Sequence, residues 1–275
     1  MKRLTTTGRL ARLSTTFLVA LLAGSLLALL AGGPAAAQGE LDEVLACVRK
    51  NAPRTAVVQV VELISVDRDG GERVQGAKLS AKRGADGLAR LLLRVEEPAD
   101  LRGTAILWLQ KPKGNEIFVY LPELKKVRRV SARQLRGKLL GSDFSYEEVA
   151  RIFAEGEGEL KRLPDGEKDG RPVFVLEATP PADSGSAYTR VTSLVDRETC
   201  VPLEIAFFEE GAEPRKLLSV DPARITKEGE VYVPRLVRMR DLAKQTESRL
   251  VTHAVEIDPE LRDDTFSSSR LEFSK

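Results

Sequence analysis

Residues 88–95 read Leu-Ala-Arg-Leu-Leu-Leu-Arg-Val, an alternation that puts Ala89, Leu91, Leu93 and Val95 on one side of an extended chain and Arg90 and Arg94 among those on the other. This is a strand with one face in a core. The same period recurs outward from it: Val201, Leu203, Ile205 and Phe207 share one parity, and Val251, Val255 and Ile257 form a row that includes His253. Further strands are expected at 55–66, 73–82, 101–110, 116–121, 172–179, 188–195, 215–220 and 231–240. Asp69-Gly70-Gly71, Asp86-Gly87, Lys113-Gly114-Asn115, Asp165-Gly166 and Asp169-Gly170 supply turn chemistry between them. Most links are too short for crossover helices, so the sheet is expected to be mainly antiparallel.

Two intervals leave this period. Leu41, Val44, Leu45 and Val48 stand at helical spacing over residues 41–49. Over 131–155 the alternation stops, and Ser145-x-x-Glu148 is a capping-box signature ahead of Val149, Ile152 and Phe153, so a helix is expected to start there. No low-complexity linker, fixed repeat or composition shift divides the chain after its first residues. About ten strands and two or three helices imply a mainly β, α+β domain in which a large curved sheet carries helices on one face.

The first 37 residues read as a secretory signal peptide. Lys2, Arg3, Arg9 and Arg12 precede an apolar stretch at 17–31, Gly32-Gly33-Pro34 follows, and Ala35-Ala36-Ala37 predicts cleavage after Ala37. The apolar stretch is shorter than the ~20 residues of a membrane span; an uncleaved anchor is the competing reading. Residues 38–275 are then expected as one soluble domain outside the inner membrane. Glu40, Asp42 and Glu43 separate Val44-Leu45-Ala46-Cys47 from the apolar stretch, so lipidation of Cys47 is not expected. In an oxidising compartment Cys47 and Cys200 can pair. The bridge would close a loop of about 150 residues and stabilise the fold by up to ~5 kcal/mol; two separate buried thiols are the alternative.

Composition excludes several functions. Setting aside the four leader bases, 39 of the 43 basic residues face 41 acidic ones, which removes the electrostatic case for nucleic-acid binding. One His and two Cys rule out a multi-histidine metal site or a zinc finger, and no cofactor motif is present. There is no G-x-S-x-G elbow to pair with His253, whose apolar row suggests a buried structural histidine. Glu96-Glu97 and Glu147-Glu148 are adjacent acids expected on solvated surface, and a folded-together carboxylate pair is the remaining enzymatic reading. The chain is not expected to be an enzyme. Its unusual charge feature is Lys125, Lys126, Arg128, Arg129, Arg133, Arg136 and Lys138, seven bases without one acid: a solvated face, or a docking patch for acidic headgroups or an acidic partner.

Three blocks carry a family resemblance: Glu97-Pro98-Ala99-Asp100-Leu101-Arg102-Gly103-Thr104-Ala105, Tyr120-Leu121-Pro122-Glu123-Leu124-Lys125-Lys126-Val127-Arg128-Arg129-Val130, and Gly141-Ser142-Asp143-Phe144-Ser145-Tyr146-Glu147-Glu148. In order and spacing they resemble the LolA-like outer-membrane lipoprotein-sorting proteins, as do Asp196-Arg197-Glu198-Thr199 before Pro202-Leu203, Val231-Tyr232-Val233-Pro234, and the closing Thr265-Phe266 and Leu271. The resemblance implies a half-open barrel of about eleven antiparallel strands, LolA/LolB-like, around an apolar cavity with a helical lid. It implies a monomeric periplasmic carrier of lipid or lipoprotein acyl chains, served by an inner-membrane exporter and an outer-membrane acceptor. Residues 139–153 are the lid candidate, with Gly137 and Gly141 as hinges. Trp108, Phe118, Tyr120, Phe144, Phe174, Phe207 and Met239 are candidate cargo contacts. The Cys47 and Cys200 pair departs from the family pattern. A periplasmic sensor of envelope stress, binding a lipid signal and a membrane partner, is the second reading.

Overall fold

The computed structural model describes residues 34–153 and 158–272. From residue 41 on, the described residues make one compact unit, and the basic and apolar stretches of the expected leader lie outside the described residues. Helix α1 is Pro34–Lys50. Six strands follow: β1 (Ala56–Val66), β2 (Glu72–Arg83), β3 (Ala89–Glu97), β4 (Ala105–Gln110), β5 (Asn115–Leu121) and β6 (Lys126–Arg129). After helix α2 (Tyr146–Phe153) come β7 (Glu159–Lys168), β8 (Arg171–Thr179), β9 (Arg190–Asp196), β10 (Pro202–Phe208) and β11 (Lys216–Val220). A short hairpin, β12 (Ile225–Glu228) and β13 (Val231–Pro234), precedes β14 (Leu236–Asp241) and β15 (Thr246–Ile257).

Thirteen strands form one sheet in the order β6-β5-β4-β3-β2-β1-β15-β14-β11-β10-β9-β8-β7. Every pairing is antiparallel, as the short links required, and the first and last long strands meet at the centre, from Val57 opposite Ile257 to Val66 opposite Glu247. The sheet is not closed: β6 and β7 are its two edges. The chain leaves one edge at Arg129 and re-enters at the other at Glu159, so the connection that holds α2 must cross the sheet. It crosses the face that carries the main core. Ile117 of β5, Leu91 of β3, Met239 of β14 and Val173 of β8 belong to one apolar cluster with Leu139, Phe144 and Val149 of the crossing segment. Strands so far apart share one core only because the sheet curls around it.

The opposite face is covered in two places, which explains the unbroken run Leu91-Leu92-Leu93. Leu92, Leu107 and Tyr120 pack beneath Phe266 and Leu271 of the C-terminal segment. Phe174, Leu176 and Val195 pack beneath α1 through Val44. A disulfide joins Cys47 of α1 to Cys200 ahead of β10, with the Cα atoms 5.4 Å apart. Among the described residues no helix is long and apolar enough to cross a membrane.

Several sequence expectations are corrected. The strand expected over 231–240 is two strands in different sheets, divided at Pro234-Arg235, where proline lacks the N–H to continue a ladder. Asp165-Gly166 is not a turn between strands: it lies inside edge strand β7, where the register shifts between Leu163 and Gly166. His253 is exposed, its side chain 3.8 Å from Glu62. As far as Thr252 it is the alternate row of β15, with Ser248 and Thr252 buried, that faces inward; the register shift opposite Val60 and Val61 then switches the parity, so that Val255 pairs with the cavity-lining Gln59.

Candidate functional site

Between α2 and the concave sheet face lies a cavity of about 240 Å³. Val61 and Leu63 of β1, Leu79 of β2, Leu91 of β3 and Trp108 of β4 form part of its floor, and alternation along each strand brings them to one side. Leu139, Leu140, Phe144, Val149 and Ile152 of the crossing segment form its roof. Ile152 is exposed, and Leu250, Val237 and Ile205 of the wall are only partly buried, so the roof leaves part of the concave face uncovered. Three polar residues interrupt this lining: Gln59, Gln75 and Thr252.

Of the aromatic and methionine candidates from the sequence, Trp108 and Phe144 line the cavity. Phe207 and Met239 are fully buried in the same core without lining it. Phe118 and Tyr120 lie on the other face, in the cluster under the C-terminal segment. Phe174 lies under α1 and is flanked by the Arg162 and Arg197 guanidinium groups at 4.8 and 4.5 Å. Six of the seven are buried and Phe118 is partly buried, and side-chain parity decides which cluster each joins: Leu107 pairs with Phe118, and Trp108 with Ile117.

The roof is fastened by buried carboxylates, which corrects the expectation that Glu147 and Glu148 are solvated. Glu148 is fully buried. Its carboxylate accepts from the Ser145 N–H at 2.6 Å, from Lys216 Nζ at 2.8 Å and from the Tyr188 hydroxyl. The expected capping box forms, with the Glu148 N–H donating to Ser145 Oγ at 3.3 Å. Burial, then the neighbouring Glu148 and Glu147 charges, push the Tyr188 phenol far above its usual range, so it stays protonated and donates. Glu147 accepts from Arg151 Nε at 3.1 Å, from the Ala187 N–H at 3.0 Å and from Ser186. Asp143, also buried, accepts from Thr246 Oγ1 at 2.6 Å and Ser248 Oγ at 2.9 Å, while Lys216 donates to its main-chain carbonyl at 2.6 Å. Gly141 sits at φ +77°, where any other residue is strained, and a Cβ there would meet the Arg73 guanidinium, which donates to the Gly141 carbonyl at 3.0 Å. The block Gly141 to Glu148 thus ties the crossing segment to β2, β11 and β15.

All seven residues of the basic run are exposed. Lys126, Arg128 and Arg129 stand on edge strand β6. Arg129 pairs with Glu116 at 3.0 Å and Lys138 with Asp143 at 3.5 Å, while Arg136 donates to the Ser186 carbonyl at 2.8 Å. Lys125, Lys126, Arg128 and Arg133 make no ion pair among the described residues. No group of three or more metal-ligating side chains is gathered among the described residues.

A family model described as "-like: Uncharacterized protein" matches residues 87–273, the greater part of the chain. The chain belongs to that family, and its fold is LolA-like. A domain described as that of an outer membrane lipoprotein-sorting protein, from Vibrio parahaemolyticus, is 22% identical; the match covers 86% of this chain and 99% of that one with a TM-score of 0.77. A DUF1329 family protein from Desulfovibrio piger is 21% identical over 86% and 98% of the two chains, at a TM-score of 0.78. A LolA superfamily protein from Nitrosomonas europaea is 21% identical over 84% and 97%, at 0.64. Curated proteins yield no sequence match. The LolA-like fold accounts for the three sequence blocks: the first spans the β3–β4 connection, the second β5 to β6, and the third fastens the roof.

Proposed function

We propose that this LolA-like protein is a carrier that shields an acyl chain of a lipid or lipoprotein in the cavity beneath α2, and that residues 139–153 are a lid over it. The apolar cavity carries the reading. Taking each methylene at about the ~30 Å³ of a water molecule, it holds a segment of roughly eight. At ~0.8 kcal/mol per buried methylene that is ~6 kcal/mol before ordering costs. The space is smaller than the ~300–1,000 Å³ of most ligand pockets, so a full-length chain requires the roof to move. Nothing in this role requires a catalytic group; the cargo is carried unchanged.

The signal-peptide reading of residues 1–37 directs residues 38–275 to the space between two membranes. A carrier there would receive cargo from an inner-membrane exporter and pass it to an outer-membrane acceptor, with the exposed bases of β6 as the docking face. Native mass spectrometry of protein purified from the periplasm, followed by lipid extraction, tests the proposal. Co-purified acylated species that extraction removes are the expected result. Protein free of lipid and recovered only with a membrane-protein partner would replace carriage with the regulatory reading.

A further inference from the structure

Gln75 is the anomaly of the cavity wall. It shares parity on β2 with Ala77 and Leu79 and stands opposite Leu63, and all four line the cavity. Only 2% of it is exposed, and its Oε1 has no hydrogen-bond partner among the described residues. Elsewhere the chain satisfies its buried polar groups with care: Glu148, Asp143, Asp196 and Asp241 each accept several hydrogen bonds. Two other buried side-chain atoms lack a partner, Ser65 Oγ and Arg171 Nε, and neither residue lines the cavity. Gln59, the other glutamine of the wall, is only half-buried. It lies four residues away along the ladder, opposite Leu79, about 13 Å from the Gln75 position.

A wall meant for bare hydrocarbon gains nothing from an acceptor that a methylene cannot satisfy, and leucine would fill the same place without loss. We infer that the cargo carries a hydrogen-bonding group within its hydrocarbon, a hydroxyl or an amide on an acyl chain, and that the Gln75 amide pairs with it. The inference rests on the carrier reading and narrows it: Gln75 selects a functionalised chain over a plain one. A site with a buried polar group rejects the ligand that leaves that group unpaired, whereas a wholly apolar wall discriminates weakly.

The test uses Trp108, the chain's single tryptophan, whose place in the cavity makes its emission a report of occupancy. Decanoate, 3-hydroxydecanoate and N-decanoylglycine are titrated at pH 8, where the carboxyl groups are ionised and donate nothing. We expect at least one donor-bearing probe to bind about tenfold or more tightly than decanoate; which of the two does so separates a hydroxylated chain from an amide-linked one. In Gln75→Leu and Gln75→Met, checked for folding by thermal melting, that preference disappears while decanoate still binds. Equal affinity for all three probes in the wild type, or a preference that survives both substitutions, overturns the inference and leaves carriage standing. No response to any probe overturns carriage and the inference together.

Discussion

Replacing Glu148 by glutamine tests whether the roof is a separable element. The substitution keeps the shape and one acceptor oxygen but removes the charge that Lys216 meets at 2.8 Å in a place where Glu148 is fully buried and the lysine side chain only 12% exposed. Removing one partner of a buried ion pair costs about 3–5 kcal/mol, because the remaining charge is left uncompensated. Lys216 keeps the Asp143 carbonyl at 2.6 Å, and the glutamine still accepts from the Ser145 N–H or the Tyr188 hydroxyl, which argues for the lower end. About 3 kcal/mol corresponds to roughly a hundredfold in the opening equilibrium. If residues 139–153 open as a unit, amide hydrogen exchange there accelerates by about that factor, while central strands β1 and β15 keep wild-type protection. Equal acceleration in the roof and in those strands would mean that α2 is ordinary core and that the protein has no lid. Unchanged exchange in the roof would mean that Glu148 does not fasten it.

Reduction of the Cys47–Cys200 disulfide, or Cys47→Ala with Cys200→Ala, should lower the unfolding free energy by about 2–5 kcal/mol in chemical denaturation, since the bridge spans 153 residues and holds α1 over Phe174. Stability should also fall in acid. Burial raises the Asp196 and Asp241 carboxyls, but hydrogen bonds from Arg171 and Thr199 to the first, and from Arg215 and Lys244 to the second, outweigh it and hold both below the usual range. Their contribution is fully present above the unfolded carboxylate pKa of about 3.9 and is lost as pH falls through the lowered folded values. The urea midpoint should therefore drop steeply below about pH 4, and a variant with Asp196→Asn and Asp241→Asn should be less stable at pH 7 with a flatter acid slope. Reversing Arg128, Arg129 and Arg133 to Glu should abolish low-salt co-sedimentation with anionic liposomes and leave the melting temperature nearly unchanged, because all three are exposed.

What the sequence revealed and what it hid follow from how local each signal is. Period-two alternation located most strands because it needs only neighbouring residues, and the Ser145 to Glu148 capping box located α2 for the same reason. Strands β6 and β7 went unseen because an edge strand needs only one partner and tolerates the charges, Pro164 and Asp165-Gly166 that they contain. The row of β15 was read as continuous because a bulge leaves no local signal: the register shift opposite Val60 and Val61 puts Val251 and Val255 on opposite sides of the sheet although their spacing suggests one. Glu148 looked solvated because Tyr188 and Lys216, its partners, lie 40 and 68 residues further along. Gln75 was passed over, although its parity with Ala77 and Leu79 puts an amide in an apolar row.

The hollow itself follows from the proportions of the parts. Thirteen strands at ~4.8 Å spacing make a curled sheet about 58 Å around, while α2, at eight residues and 1.5 Å each, is about 12 Å long. Because β6 and β7 are opposite edges, the connection between them must traverse the concave face, and this short helix is what it brings there. Such a helix covers a few strands and leaves others, hence the partial burial of Leu250, Val237 and Ile205. A longer helix would have closed the interior into a solid core. A crossing without buried anchors would have left it open to water. The chain does neither: Asp143, Glu147 and Glu148, all buried, fix a cover that is too small for the sheet beneath it.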